Sequence, residues 1–412
     1  MLLLPLLLAA AAPDVISLDE ALALAEQSSP AMAQSRGRTA LADARNGAAL
    51  APLLPQVRGD VGYARGTANT ASSVKLDSYD QFSTGVSLRQ LIWDFGRSTE
   101  GLAASEAELV SAKADERAAK NDLAFAVRAA WLDAAGARAL KDVARGAVEN
   151  EERHQAQVQA QIGVGLRPPI DLAQVKTVLA SARADLLAAE QAEWTRRLEL
   201  GRVLGTGGAP APAVVGDPLG AVDGEDAVLE SLVARAMAAR PELVAAEQIV
   251  TARERDVASA RGDYWPSISA QASANAGGAA LDALAPNAQV GVDLSWPLFS
   301  GLGTNASVRA TEAAAAQARA LRDAVQLQLK VDVESAQLQV RLARARLVAL
   351  EEADSASAAE LELAEARYKA GTGTIIELGD AQARRVSASA RLAQARTDLA
   401  VSRAALLRAL GS

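Results

Sequence analysis

The longest segment without a helix breaker limits what this chain can fold into. From Thr304 to Ala370 the sequence contains neither proline nor glycine, and Gly-Thr-Gly follows at residues 371–373. We predict a helix over residues 302–370, which at 1.5 Å per residue would be roughly 100 Å long. A typical helix of a globular domain has about 11 residues. The chain is therefore expected to span a distance much greater than the diameter of an ordinary domain.

The sequence also contains an internal repeat, which is informative about the whole architecture. Pro55 recurs as Pro266, an offset of 211 residues (266 − 55), and Gly165 recurs as Gly371, an offset of 206 (371 − 165). The offset changes by five (211 − 206) between the two strand-like segments of each copy. A shorter hairpin loop in the second copy explains this change, because loops tolerate insertions and deletions.

We predict two copies of one unit, over residues 17–205 and 227–411, joined by a linker rich in Gly, Pro and Ala over residues 206–226. Each copy is predicted to contain a helix, a β-hairpin, a very long helix, a turn at glycine and a return helix. The capping-box pair Ser17 and Glu20 marks the start of the first helix, which is predicted to continue to Leu50. The remaining elements are predicted at 55–93 (hairpin), 97–162 and 170–204 in the first copy, and at 265–299 (hairpin), 302–370 and 375–410 in the second.

The return helices carry leucine at seven-residue spacing, which is typical of coiled-coil packing. The leucines concerned are Leu172, Leu179, Leu186 and Leu200 in the first copy and Leu378, Leu392, Leu399 and Leu406 in the second. Glu193 and Arg385 interrupt this pattern. Aromatic residues make up only 3% of the chain and alanine is abundant. This composition favours helices that pack closely through small side chains.

The strand-like segments alternate between apolar and polar residues. Phe82, Thr84, Val86 and Leu88 share one face of the first hairpin, and Val290, Val292 and Leu294 share one face of the second. A period of two over four segments predicts half-buried strands.

Four such strands are too few to close a barrel, and an open sheet edge in lipid leaves backbone groups unpaired. Three chains would supply twelve strands, an even number as in outer-membrane barrels. The alternative is a soluble sandwich resting on the helices, with its polar face in water.

The charge and the scarcity of reactive side chains exclude several classes of protein. The chain has 50 acidic and 42 basic residues, a net charge of −8, and no cysteine. This acidity argues against a nucleic-acid partner, and the lack of cysteine excludes disulfides and thiolate metal sites. The single histidine, His154, has no ligand partner four residues on, and we expect it on the surface of a helix. With no nucleophile–base pair in view, we expect no catalytic, cofactor-binding or metal-binding residues, and hence no enzyme.

Residues 1–12 (MLLLPLLLAAAA) have the composition of a signal-peptide core followed by an alanine-rich cleavage site. This segment is too short to span a membrane, and no later uninterrupted apolar run has spanning length. The mature protein is expected to be exported and to carry no transmembrane helix.

The ordered set of segments, present in duplicate, resembles the TolC-type outer-membrane efflux proteins, also called outer-membrane factors. The matching segments are residues 52–56, 90–97, 164–166, 265–266, 296–301 and 368–380. The resemblance covers nearly the whole mature chain. It implies a mainly α-helical fold with a small β part, and a homotrimer whose 12-strand β-barrel lies in outer-membrane lipid. An α-helical barrel would continue from it into the periplasm.

The resemblance further implies a passive export duct of a tripartite efflux or type I secretion system. The partners would be a periplasmic adaptor and an inner-membrane transporter of the RND, ABC or MFS type. The alternative function is a soluble periplasmic helical-hairpin protein, such as an adaptor. An adaptor would carry one helical hairpin inserted in a lipoyl-like β module, so the duplicated unit favours the duct.

The resemblance places a gate and selectivity site at the periplasmic tip. Glu377 and Asp380 match acidic residues that narrow the entrance, and at a spacing of three they share a helix face. Asp171 is equivalent to Glu377 in the first copy (171 + 206 = 377). For all three acids the alternative role is stabilisation of a helix start. Tyr368 matches a tyrosine that holds the tip closed through hydrogen bonds between helices.

The tip turns are expected at Gly165 in the first copy and at Gly371 and Gly373 in the second. Members of the family often have a basic residue just after the turn glycine, where this chain has Gly373. The resemblance therefore leaves the basic partner of the gate unassigned.

Overall fold

The computed structural model describes residues 15–68, 77–165, 167–216 and 220–411. The predicted signal peptide at residues 1–12, and Leu166 of the first tip turn, lie outside the described residues. Helices dominate the described part of the chain, and none of them in these ranges carries an apolar run long enough to cross a bilayer.

Each copy of the repeat has the same order of elements. After a short strand β1 (Val15–Ile16), the first copy contains α1 (Leu18–Ser28), α2 (Pro30–Leu50), β2 (Gln56–Ala68), β3 (Asp77–Trp93), α3 (Arg97–Gly163) and α4 (Pro169–Leu204). After a second short strand β4 (Ala213–Val214), the second copy contains α5 (Leu229–Ala239), α6 (Pro241–Gly262), β5 (Ser267–Gly278), β6 (Ala285–Ser295), α7 (Gly303–Lys369) and α8 (Ile375–Leu410). The two longest helices, α3 and α7, have 67 residues each.

The prediction of one helix from Ser17 to Leu50 was wrong. The capping box of Ser17 and Glu20 is present, but the helix ends at Ser28 and a second one begins at Pro30. Proline has no N–H for the helix ladder and pushes the residue before it out of the helical region. Ser29 is accordingly extended, with φ −66° and ψ 128°.

The four long strands form one antiparallel sheet in the order β2-β3-β5-β6. Cross-strand neighbours lie on the same face of the sheet, and two adjacent register rows show how the two faces differ. One row is apolar throughout: Val57, Leu88, Ala272 and Val290. The adjacent row, on the opposite face, is polar throughout: Arg58, Ser87, Ser273 and Gln289. Within the single chain the apolar face is open, since Val61 is 89% and Val290 is 85% exposed.

Both copies turn from strand to long helix through two successive residues with positive φ. In the first copy these are Phe95 (55°) and Gly96 (91°), and in the second they are Gly301 (62°) and Leu302 (66°). The left-handed conformation costs a residue with a side chain roughly 1–2 kcal/mol, whereas glycine adopts it freely. The turn is therefore the same in the two copies, but the glycine stands at its second residue in one and at its first in the other.

The described chain divides into two compact units. The helical unit takes the described residues of 1–35, 116–241 and 326–412, and the sheet unit takes 36–115 and 242–325. Each unit therefore contains segments of both repeats.

Trp131, at 1% exposure, lies in the core of the helical unit. Its Nε1 donates to the carbonyl oxygen of Ile16 at 3.2 Å. Arg138 Nη1 donates to the carbonyl oxygen of Val214 at 2.8 Å. These bonds attach the parallel pair β1–β4 to α3. The helices come close where side chains are small: a Cβ on Gly136 of α3 would lie 2.4 Å from Thr397 Oγ1 of α8.

The two interruptions of the leucine pattern carry ion pairs. Glu193 on α4 is 9% exposed and pairs with Lys141 of α3. Arg385 on α8 pairs with the carboxylate of Asp354 on α7 and donates to its carbonyl oxygen at 2.9 Å. Because a charge in a helix seam tolerates only its own partner, these pairs select one register of each helix pair at some cost in stability.

The linker between the copies contributes a buried carboxylate, Glu225, at 4% exposure. It accepts hydrogen bonds from the Val222 N–H at 3.0 Å and from Arg403 Nε at 3.1 Å, and it pairs with Arg344. Burial would raise the pKa of Glu225, but the hydrogen bonds from Arg403 and Val222 and the charges of Arg403 and Arg344 outweigh it and lower the pKa. The linker is thereby attached to both α7 and α8.

Replacing Glu225 with glutamine is expected to destabilise the protein at pH 7 by about 2 kcal/mol, because charge-assisted hydrogen bonds to the two arginines are lost. The folded pKa lies below the usual value of 4.5. The wild-type advantage is therefore fully present above that pH and is lost as the pH falls through the lower, folded value. Thermal unfolding of wild type and Glu225→Gln in detergent, followed by circular dichroism at pH 7 and pH 3, measures the difference.

The matched control is Glu230→Gln, a solvent-exposed carboxylate at the start of α5. It should change the unfolding temperature little at either pH. A wild-type advantage over Glu225→Gln that stays constant between the two pH values would contradict the assignment.

Candidate functional site

Two helical turns, both within the helical unit, contain the sequence-predicted site residues. The first tip turn (residues 164–168) connects α3 to α4. Gly165 has φ +75°, and its N–H donates to the carbonyl oxygen of Ile162 at 2.9 Å. Pro168 is the N-cap of α4 and Pro169 its first residue, where a missing N–H is tolerated.

The second tip turn (residues 370–374) connects α7 to α8. Gly371 also has φ +75°, and the N–H groups of Thr372 and Gly373 both donate to the carbonyl oxygen of Arg367 at 3.0 Å. Thr374 caps α8, since its side chain accepts from the Glu377 N–H at 3.1 Å. The positive φ explains glycine at positions 165 and 371, because side chains disfavour that conformation.

Tyr368, in the last turn of α7, is enclosed at 1% exposure. The guanidinium carbon of Arg167 lies 4.0 Å from the centre of the tyrosine ring, and Arg167 Nη2 donates to the Tyr368 carbonyl oxygen at 2.9 Å. A cation over an aromatic face in a desolvated site contributes about 2 kcal/mol. The residues of one repeat copy are in this way held to those of the other at the tip.

The resemblance gives the hydroxyl of Tyr368 hydrogen bonds between helices, and these stay a prediction for the assembled protein. Its oxygen is buried and has no hydrogen-bond partner among the residues that the structure describes. A buried polar group without a partner costs about 1–3 kcal/mol. Within the described residues, the tyrosine is therefore held through its ring and its carbonyl oxygen.

Asp171, in the first turn of α4, is buried at 6% exposure. Its Oδ2 lies 3.9 Å from Nη1 of Arg167. One arginine thus contacts both the aspartate and the tyrosine. This contact orients the guanidinium over the ring of Tyr368.

Glu377 and Asp380 share a face of α8 but have different surroundings. Glu377 is half-buried and pairs with Arg367, with Nη1 and Oε1 2.7 Å apart. Asp380 is exposed, and the described residues provide it with no ion pair. The charge of one carboxylate is therefore partly compensated, while that of the other faces solvent.

Sequence reasoning missed Arg167 and Arg367, the two cations of the site. The repeat offset could have found the first: the basic residue that is absent at Gly373 stands at the equivalent position of the first copy (373 − 206 = 167). Arg367 has no such signal, because its equivalent (367 − 206 = 161) is Gln161.

The prediction that His154 lies on the surface was wrong. It is 9% exposed, and its ring contacts the ring of Tyr368 edge-on, with centres 5.5 Å apart at 62°. Burial lowers the pKa of His154 below its usual value; Glu365 and Asp171 oppose the shift, whereas Arg167 adds to it. Helix α3 carries His154 on the side that faces α7, which periodicity in a helix full of polar residues did not reveal.

A cleft of about 220 Å³ lies beside this histidine. It is lined by residues from α3, α7 and α8, among them Arg153, Gln157, Glu365, Lys369 and Gln382. Within the described ranges, no group of three or more His, Cys, Asp or Glu side chains is arranged to hold a metal ion. The chemistry available at the tip is therefore ion pairing, hydrogen bonding and aromatic contact.

Comparisons with known proteins agree on the family and the fold. A family model described as outer membrane efflux protein matches residues 21–206 and 232–412. Outer membrane efflux protein BepC of Brucella suis is 26% identical over 405 residues, covering 96% of this chain and 85% of BepC. The CmeC outer membrane channel of Campylobacter jejuni has a TM-score of 0.83 at 16% identity, over 96% of this chain and 85% of that one. The outer membrane protein VceC of Vibrio cholerae has a TM-score of 0.81 at 19% identity, over 96% of each chain. The expected fold class is thereby confirmed.

Two glycines at the tip provide a matched test of the turn geometry. A Cβ on Gly371 or on Gly379 would meet nothing within 4 Å, but only Gly371 has positive φ. Gly371→Ala is expected to destabilise the protein by about 1 kcal/mol, and Gly379→Ala, inside α8, to stabilise it by about 0.5–1 kcal/mol. Thermal unfolding of the two variants in detergent should therefore shift in opposite directions. Shifts of the same sign would show that the second tip turn does not depend on its left-handed residue.

Proposed function

The chain belongs to the outer membrane efflux protein family, and from this we propose that three copies form a passive export duct with a gate at the helical tip. Family membership confirms the resemblance to TolC-type proteins and the location in the outer membrane. The family consists of efflux channels and not of enzymes. It also favours a channel over the alternative of a soluble adaptor.

The open sheet is the observation that carries the proposal. Strands β2 and β6 each have one edge that no described strand pairs. In lipid each unpaired backbone group costs several kcal/mol, so a sheet that meets lipid has to close on itself. The rows of apolar residues on one face and polar residues on the other suit a wall between lipid and a water-filled lumen. Three chains of four strands make a closed barrel of twelve.

Exposed apolar residues on the helices support the same assembly. Leu327, Val331, Leu338 and Leu342 follow one stripe of α7 at spacings of 4, 7 and 4 residues, and they are 54–63% exposed. On α4, Leu187 and Trp194 are spaced by seven and are 66% and 53% exposed. Contiguous apolar surface of this kind indicates a contact with another chain. We propose that neighbouring copies cover these stripes and continue the barrel as a tube of helices.

At the tip we propose that three copies of Glu377 and Asp380 surround the entrance and attract cations. Because Arg367 partly compensates Glu377, Asp380 would supply most of the field. Asp171 would act through Arg167, which it orients on Tyr368, and would not line the entrance. In each chain, helices α3, α4, α7 and α8 would meet at this constriction through the turns at Gly165, Gly371 and Gly373.

The proposed partners are a periplasmic adaptor and an inner-membrane transporter of the RND, ABC or MFS type. Together they would form a tripartite efflux or type I secretion system. Energy and much of the substrate choice would come from the transporter.

The assembly is tested by measuring the mass of the detergent-purified protein together with single-channel currents in a planar bilayer. A trimer that gives small, stable, cation-selective conductance is the expected result. A monomer that stays in solution without detergent and never inserts would reject the duct.

Substituting both Glu377 and Asp380 by alanine is expected to raise conductance and to weaken block by multivalent cations by about tenfold, equivalent to about 1.4 kcal/mol. Arg367→Ala should lower the conductance and strengthen block by multivalent cations, because it leaves the charge of Glu377 uncompensated. Titration of the single-channel current with a trivalent cation measures both effects.

Glu362→Ala is the matched control, since this carboxylate is exposed on α7 near the tip. It should leave block unchanged. If the double variant is blocked at the wild-type concentration, the two acids do not control the entrance.

A further inference from the structure

His154 is the only histidine of the chain. It contacts Tyr368, the residue through which the two repeats of one chain are held together at the tip. We propose that His154, Arg167 and Tyr368 form a proton-sensitive latch: neutral His154 keeps Tyr368 enclosed, and protonation of His154 releases it and opens the tip. The proposal rests on the proposed function, in which the tip is the gate of a duct.

The geometry of the latch makes the charge of His154 decisive. The Tyr368 ring has the guanidinium of Arg167 4.0 Å from its centre and the imidazole of His154 edge-on at 5.5 Å. One cation is therefore already bound to the ring. A protonated imidazole would bring a second cation to the same ring. Because His154 and Tyr368 are both largely buried, its repulsion from Arg167 is screened less than it would be in bulk water.

The groups that surround His154 come from three neighbouring parts of the chain. Helix α7 contributes Glu365 and Lys369, and the first tip turn with the start of α4 contributes Arg167 and Asp171. Glu365 and Asp171 favour the imidazolium, but burial and Arg167 outweigh them and lower the pKa of His154. Helix α8 lines the adjoining cleft with Leu378 and Gln382, which are uncharged. Around the enclosed tyrosine, the neutral imidazole is the favoured form.

Enclosure of Tyr368 also has a desolvation cost, which release of the side chain would remove. The Tyr368 hydroxyl oxygen is buried without a hydrogen-bond partner among the described residues. On release it would be hydrated, as would the imidazolium. The enclosed state is thus held by the ring contacts and the Arg167 hydrogen bond against the burial of the hydroxyl, and protonation of His154 would add the burial of a charged group.

The direction of the pH response follows from linkage. A group whose pKa is lowered in the enclosed state binds its proton more tightly in the released state, so release is favoured as the pH falls below about 6.5, the usual histidine value. Each pH unit shifts the equilibrium of one chain by at most about tenfold. If three chains open together, the limit is about a thousandfold per pH unit.

The first measurement is a titration of His154 by NMR in detergent-solubilised protein labelled at histidine. Because there is one histidine, there is one signal to follow. The expected midpoint lies below 6.5, and protonation should abolish the contact between the two rings. A midpoint at or above the ordinary value, or ring contacts that persist in the protonated form, would overturn the latch.

The second measurement is the distance between spin labels on Thr372→Cys, in the second tip turn, across the copies of the assembly. The chain has no cysteine of its own, so the label occupies one site per chain. The distances should lengthen between pH 7.5 and pH 5.5 in the otherwise wild-type protein. In His154→Phe, which keeps the edge-on ring without a proton site, and in His154→Gln, they should stay constant.

The outcomes distinguish a failure of the latch proposal from a failure of the duct proposal. A pH-dependent opening that is unchanged in His154→Phe rejects the latch and leaves the duct intact. A protein that does not assemble rejects the duct, and the NMR titration then decides on its own whether proton binding at His154 releases Tyr368.

Discussion

The unpaired edges of a four-stranded sheet set the requirement that the rest of this structure meets. Strands β2 and β6 end the sheet, and one of its faces carries the apolar row Val57, Leu88, Ala272 and Val290. In the outer membrane the edge groups need partners and the apolar face needs lipid. Neither need is met within one chain. Helices α4 and α7, with their own exposed apolar stripes, have the same incompleteness. The proposed assembly of three chains would meet these needs.

The two repeats share one backbone fold, but they differ in the side chains at the turns and at the contacts between them. The strand-to-helix turn keeps its two left-handed residues while the glycine changes place, from Gly96 to Gly301. At the tip, the acid after the turn is kept as Asp171 and Glu377, but its arginine comes from after the turn in one copy and from before it in the other. Equivalent backbones thus carry different ion pairs, and only the first copy supplies the cation that covers Tyr368.

Charged groups in the helix seams serve arrangement more than stability. Glu193 with Lys141 and Arg385 with Asp354 stand in helix seams, where well-packed apolar side chains are often as stabilising. Each charge, however, accepts few alternative neighbours. In helices rich in alanine, whose small side chains would pack acceptably in several registers, such pairs distinguish one alignment from the others. The charges in the helix seams therefore specify an alignment that the alanine-rich packing alone would leave open.

The sequence by itself determined the family, the mainly helical class with a small antiparallel sheet, and the two-faced character of the strands. These depend on local periods, on glycine and proline, and on the repeat, all of which can be read along the chain. Only the tertiary structure decided that His154 is buried, that Glu193 has a partner, and that Arg167 lies on a tyrosine 201 residues away. Such contacts depend on which faces of four helices meet. No local pattern records that choice in a chain where polar and small residues occur on every face.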